Sequence, residues 1–118
     1  MTYVDGFVIP VAKGKIAAYK KMAAWGKKVW MKHGALQYFE CVGDDLDGMP
    51  SCGNFKKMAK LKPSETAFFS FIVYKSKAHR NAINKKVMAE MNNQPMSKSM
   101  PLDLKRMAFG GFKTLIQG

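Results

Sequence analysis

The sequence predicts a mixed α+β domain with one layer of helices on a four-stranded antiparallel sheet. Three observations carry that expectation. Four runs rich in β-branched and aromatic residues alternate with two stretches of helical periodicity, in the order strand, helix, strand, strand, helix, strand. Turn and cap residues fall at the joins. The strand runs place large apolar residues on both alternating sets of positions.

Residues 2–10 read as the first strand, closed by Pro10. Residues 13–33 read as an amphipathic helix. Ile16, Tyr19, Met22, Ala23, Gly26, Val29, Trp30 and His33 recur at spacings of three and four and share one face. Lys13, Lys20, Lys21, Lys27, Lys28 and Lys32 take the other face, and Gly34 fits the position just past the helix end. Residues 35–43 read as the second strand and 44–53 as a loop. Residues 54–61 read as an irregular or edge strand closed by Pro63 and Ser64. Residues 66–74 form the clearest strand of the chain. Ser76 is an N-cap for a helix over 77–92, which Asn92, Asn93 and Pro95 stop. Residues 96–104 read as a loop and 105–116 as the last strand. The order is that of a ferredoxin-like βαββαβ sandwich, with the first and third strands central.

Helices cover one face of such a sheet. In the third strand, Phe68, Ser70, Ile72 and Tyr74 point one way, while Ala67, Phe69, Phe71 and Val73 point the other. A sheet apolar on both faces needs a second cover. The simplest supplier is another copy of the chain, so a homodimer through the sheet face is expected.

Composition narrows the function. The 118 residues, 47% of them apolar, suit one domain spanning 1–118. No apolar run reaches the roughly 18 residues of a membrane span, and the start lacks a signal-peptide pattern, so a cytoplasmic location is expected. Cys41 and Cys52 form no Cys-x-x-Cys pair and read as reduced structural thiols. With two histidines besides, they make a poor metal set, and neither metal nor cofactor is expected. The net charge of +12 attracts phosphate polymers in general. No nucleic-acid-binding motif accompanies it, and the one feature in favour is Trp25 among Lys21, Lys28 and Lys32.

Charges inside strand runs mark the candidate site, because an unpaired charge in a core strand costs several kcal/mol. Asp5 alternates with Tyr3, Phe7 and Ile9, and Glu40 with Leu36, Tyr38 and Val42. Lys105 and Arg106 open the last run, on opposite faces. Strand order makes Asp5 and Arg106 the expected cross-strand neighbours, with Glu40 farther off. Two readings follow. One is an ion pair that fixes register at the dimer contact. The other is a pocket in which a carboxylate acts as general base and a cation holds an anionic or aromatic ligand. Candidate catalytic residues are Asp5, His33, Asp103 and Arg106. Candidate ligand-binding residues are Tyr3, Tyr38, Glu40, Phe71, Arg80 and Lys105. Arg80 lies on the inward side of its helix with Ile83 and Val87, where a guanidinium wants a carboxylate or an anion.

Particular residues also resemble a known family. They are Tyr3-Val4-Asp5-Gly6-Phe7, Gly34-Ala35-Leu36, Glu40-Cys41, Asp44-Asp45 and Ala78-His79-Arg80. To these adds the long motif Met100-Pro101-x-Asp103-x-Lys105-Arg106-Met107-x-x-Gly110-Gly111-Phe112. Together they resemble the YbaA-like family of small bacterial proteins, a domain of unknown function, across essentially the whole chain. The resemblance implies a dimeric α+β barrel, two ferredoxin-like protomers packed sheet to sheet, with a pocket between the sheet and helices of each. That superfamily includes cofactor-independent monooxygenases, haem-degrading enzymes and muconolactone-isomerase-like proteins. Phe71, Leu102, Leu104 and Met91-Asn92-Asn93-Gln94 depart from the family's usual pattern. The functional expectation is therefore a small-molecule pocket in a monooxygenase- or isomerase-like protein. The alternatives are a non-catalytic dimeric module and a basic nucleic-acid-binding protein.

Overall fold

The computed structural model describes residues 1–92 and 101–118. Its strands are β1 (Tyr3–Ala12), β2 (Gln37–Val42), β3 (Glu65–Tyr74) and β4 (Ala108–Lys113). Its helices are α1 (Ile16–Lys32), the short α2 (Phe55–Met58) and α3 (Lys77–Asn92). A single 3-10 turn, Lys13–Lys15, leads into α1. The strands form one sheet in the order β2-β3-β1-β4, and every neighbouring pair is antiparallel.

Alternation along β1 decides the two faces. Asp5, Phe7 and Ile9 lie opposite Ile72, Ser70 and Phe68 of β3, and this set faces the helices. Tyr38 and Glu40 of β2 join it through the same register. Two buried clusters form beneath the helices. Ile9, Val11, Tyr19, Ala23 and Phe68 make one; Val29, Ala35, Ile72, Tyr74, Ile83 and Val87 make the other. Phe7 packs against both.

Local signals set the helix ends. The Ser76 hydroxyl accepts from the His79 N–H at 3.1 Å, which caps α3. Gly34 follows α1 with φ +113°, a conformation that a side chain resists. Asn54 accepts from the Lys57 N–H at 2.9 Å and so starts α2.

The structure corrects the sequence reading in several places. Residues 55–58 are helical rather than edge strand, because the Asn54 cap and the turn it sets outweigh a segment with no strand alternation. β1 runs through Pro10 to Ala12; β4 reaches only as far as Val8, so Pro10 sits where that flank of β1 has no partner. β4 begins at Ala108, so Lys105 and Arg106 precede it in a turn and do not sit in the sheet. The predicted stops at Asn93 and Pro95, and the 96–100 part of the predicted loop, lie outside the described residues.

The molecule is 20 Å thick, room for one sheet and one helix layer. The far side of the sheet carries Val4, Val8, Phe39, Phe69, Phe71, Val73 and Phe112. Phe39, Phe69 and Phe112 are 43%, 47% and 62% exposed. Phe39 and Phe71 stack with ring centres 4.7 Å apart. This face is apolar; Phe55 of α2 meets Phe69 at its edge, ring centres 6.4 Å apart, and among the described residues no long helix covers the rest.

Candidate functional site

A cavity of about 630 Å³ lies between the sheet, α1, α3 and the turn over residues 101–107. Phe7, Ile9, Tyr38, Ser70 and Ile72 make its floor. Tyr19, Met22, Trp25, Gly26 and Trp30 come from α1, Met88 and Met91 from α3, and Leu102, Leu104 and Met107 from the turn. Glu40 is the one charged side chain among the described lining residues.

Both oxygens of Glu40 accept a phenol. Tyr19 Oη donates to Oε1 at 2.7 Å and Tyr38 Oη donates to Oε2 at 2.8 Å. Tyr38 reaches Glu40 because residues two apart on a strand share a face. Tyr19 reaches it from the buried face of α1. Burial, reinforced by the Glu40 carboxylate, holds both phenols far above the ordinary tyrosine range, so they are fixed donors. Among the described residues Glu40 has no ion-pair partner. An ionised carboxylate has about four lone-pair sites, so both oxygens keep acceptor capacity for a ligand. Gly26 lets α1 approach this group closely, since a Cβ there would stand 3.1 Å from Tyr38 Oη.

Two polar clusters hold the walls. Beside the floor, on the same face of the sheet, Asp5 is 1% exposed and accepts from Arg80 Nε at 2.9 and 3.2 Å. Asn84 Nδ2 adds a long contact of 3.5 Å to Asp5. Asn84 Oδ1 accepts from Trp30 Nε1 at 3.1 Å and from Tyr74 Oη at 3.3 Å. The indole in the cavity wall is thereby tied to the buried ion pair. At the other end, Arg106 donates from Nη1 and Nη2 to the two oxygens of Glu65 at 2.8 and 2.5 Å. Its Nε donates to Asp103 at 2.9 Å, and Nη1 also donates to the Lys60 carbonyl at 3.0 Å. This clip fastens the turn that carries Leu102, Leu104 and Met107 to the start of β3.

The sequence candidates therefore separate. Tyr38 and Glu40 line the cavity. Asp5, Arg80 and Tyr3 form the cluster beside it, with the guanidinium 5.2 Å from the centre of the Tyr3 ring. The expected Asp5–Arg106 pair does not form. Residue 106 lies ahead of β4, while α3 lays Arg80 directly over β1. Asp103 and Arg106 belong to the clip, and exposed Lys105 donates its backbone N–H to Asp103 at 3.0 Å. His33 lies against Glu90 at 2.9 Å, beside Lys32, and does not line the cavity. Phe71 is on the uncovered face. Trp25, expected among lysines on the wet side of α1, is 39% exposed and lines the cavity. The sequence reading missed Tyr19 and gave Trp30 no role. The available signal was a Tyr on an apolar helix face, whose hydroxyl needs a partner when buried.

Among the described residues no group of three or more His, Cys, Asp and Glu is placed to hold a metal ion. No helix among them is long and apolar enough to cross a membrane. Cys41 and Cys52 are free and exposed.

The geometry defines an α+β protein with a carboxylate set in an aromatic and thioether-rich cavity. The chain belongs to the DUF1428 family, described as a protein of unknown function, whose model matches residues 2–104. It is 40% identical over 117 residues to the uncharacterized protein YbaA of Escherichia coli strain K12, covering 98% of each chain. The same identity and coverage hold for the uncharacterized protein YbaA of Shigella flexneri. Among solved structures it is similar to the de novo designed protein Foldit4, with TM-score 0.48 and 9% identity over 97% of this chain and 99% of that one.

Proposed function

We propose that this chain is a ferredoxin-like protomer of a dimeric α+β barrel that binds a small molecule between its sheet and its helices. Its activity is of the cofactor-independent isomerase or monooxygenase kind, with Glu40 as the proton acceptor. The observation that carries this reading is the Glu40 carboxylate, held by Tyr19 and Tyr38 at the wall of an apolar cavity of about 630 Å³. That volume suits a ligand of metabolite or drug size. A fixed carboxylate with free acceptor capacity can take a proton from an acidic C–H. In an isomerisation Glu40 returns that proton to a different carbon, so the proton count closes within the site. The strand order β2-β3-β1-β4 supports the ferredoxin-like assignment. The uncovered apolar face supports a second copy packed sheet to sheet.

Ligand screening by thermal shift, beside mass spectrometry of natively purified protein, tests the site. Ala18→Trp fills the cavity from the exposed start of α1 with little expected effect on folding. Compounds that raise the melting temperature of the native chain should fail with Ala18→Trp. Compounds that stabilise both equally bind elsewhere and overturn the reading.

A further inference from the structure

We infer that the cavity takes a hydrophobic organic cation, an aryl- or alkylammonium whose nitrogen sits against Glu40. This rests on the reading of the cavity as the small-molecule site.

The protein as a whole carries +12, but the cavity reverses that sign. Its described lining includes no lysine, arginine or histidine, and Glu40 is its one charge. The neighbouring guanidiniums are committed elsewhere, Arg80 to Asp5 and Arg106 to Glu65 and Asp103. Among the described residues, an anionic ligand would meet a carboxylate with no cation beside it to neutralise it. A neutral ligand would leave that charge without a counter-ion among those residues. A cationic nitrogen supplies the missing partner, and a free acceptor site on one Glu40 oxygen suits its N–H, leaving the other oxygen open to the C–H proton. Tyr19 and Tyr38 cannot play that part, because both already donate to Glu40 and stay protonated.

The walls suit the same chemistry. The rings of Trp30 and Tyr38 stand with centroids 6.2 Å apart, inclined at 44°, and Phe7, Tyr19 and Trp25 add further aromatic surface. Aromatic faces attract organic cations through the ring quadrupole, most strongly where water is excluded. Asn84 holds the Trp30 indole by its N–H, so this surface is preset before a ligand arrives.

Three compounds on one indole skeleton form the test: tryptamine, tryptophol and indoleacetate, carrying a cation, an alcohol and an anion. Calorimetry at about 0.15 M salt screens attraction of the anion to surface lysines. Tryptamine is expected to bind at least about ten-fold more tightly than tryptophol, with indoleacetate weakest. Glu40→Gln keeps the size of the side chain and should abolish the gap between tryptamine and tryptophol, chiefly by weakening tryptamine. Indoleacetate binding as tightly as tryptamine overturns the inference, as does a gap that survives in Glu40→Gln. Either result leaves the cavity standing as a ligand site, since the indole still binds. Binding of none of the three also overturns the inference; the separate comparison with Ala18→Trp then decides whether the cavity binds anything.

Discussion

Asp5 and Arg80 form the central polar contact of the fold: one nitrogen, Arg80 Nε, donates to both oxygens of a carboxylate buried near the start of β1. The pair docks the first turn of α3 on the sheet. Removing one partner strands the other. Arg80→Met should cost about 3–5 kcal/mol in urea unfolding, because Asp5 keeps its burial and loses its counter-charge. The double variant Asp5→Leu with Arg80→Met should be more stable than Arg80→Met alone. A double variant that loses the sum of what Arg80→Met and Asp5→Leu lose separately would show that the pair is not coupled.

The clip at the other end of the cavity predicts acid sensitivity. Hydrogen bonds from Arg106 hold the Glu65 carboxyl at about 2, below its ordinary 4.5. The same guanidinium lowers Asp103. A carboxyl lowered in the folded state binds protons less readily there than in the unfolded chain. Its stabilisation is full above about pH 5 and disappears as pH falls from the ordinary value towards 2. Glu65→Gln should therefore be less stable than the native protein at pH 7, by several degrees in melting temperature, and the difference should shrink steadily between pH 5 and about 2. A difference independent of pH would assign the effect to packing.

Two glycines should respond oppositely to alanine. A Cβ at Gly111 would meet Tyr3 Oη and Arg80 Nη2, both at 2.5 Å, and Arg80 is held in place by Asp5. Gly111→Ala should lose about 1–3 kcal/mol by thermal melting. Gly14, in the turn before α1, has nothing within 4 Å of a Cβ and no positive φ. Gly14→Ala should gain about 0.4–1 kcal/mol, mostly by restricting the unfolded chain.

The uncovered sheet face predicts the assembly. Phe71→Asp puts a charge at the centre of that face, beside Phe39 and Phe69. Sedimentation should show a dimer for the native chain and a monomer for Phe71→Asp, with matching far-ultraviolet circular dichroism. A native chain that stays monomeric at high concentration removes the sheet-to-sheet arrangement from the proposal.

Local chemistry was legible in the sequence and long-range chemistry was not. Helix 77–92 followed from Ser76 and from periodicity, and both need only neighbouring residues. The two-faced character of 66–74 followed from alternation alone. The partner of Asp5 depended on where α3 crosses the sheet, and no pattern within either segment encodes that. Tyr38 and Glu40 were legible as one face of a strand. Tyr19 was legible as apolar helix face, but its bond to Glu40 joins two elements whose approach only the fold decides. The four residues of α2 are too few to show a period.

Gly26 has a consequence for the size of the chamber. The helix there faces the Tyr38 hydroxyl, so the height of the roof above the acidic group depends on the smallest side chain available. Alanine there presses on the Tyr38 phenol, which must give by a few tenths of an ångström, and anything larger loosens the hold of Tyr38 on its acceptor. Room for a guest and the grip on the carboxylate are therefore set by the same missing methyl.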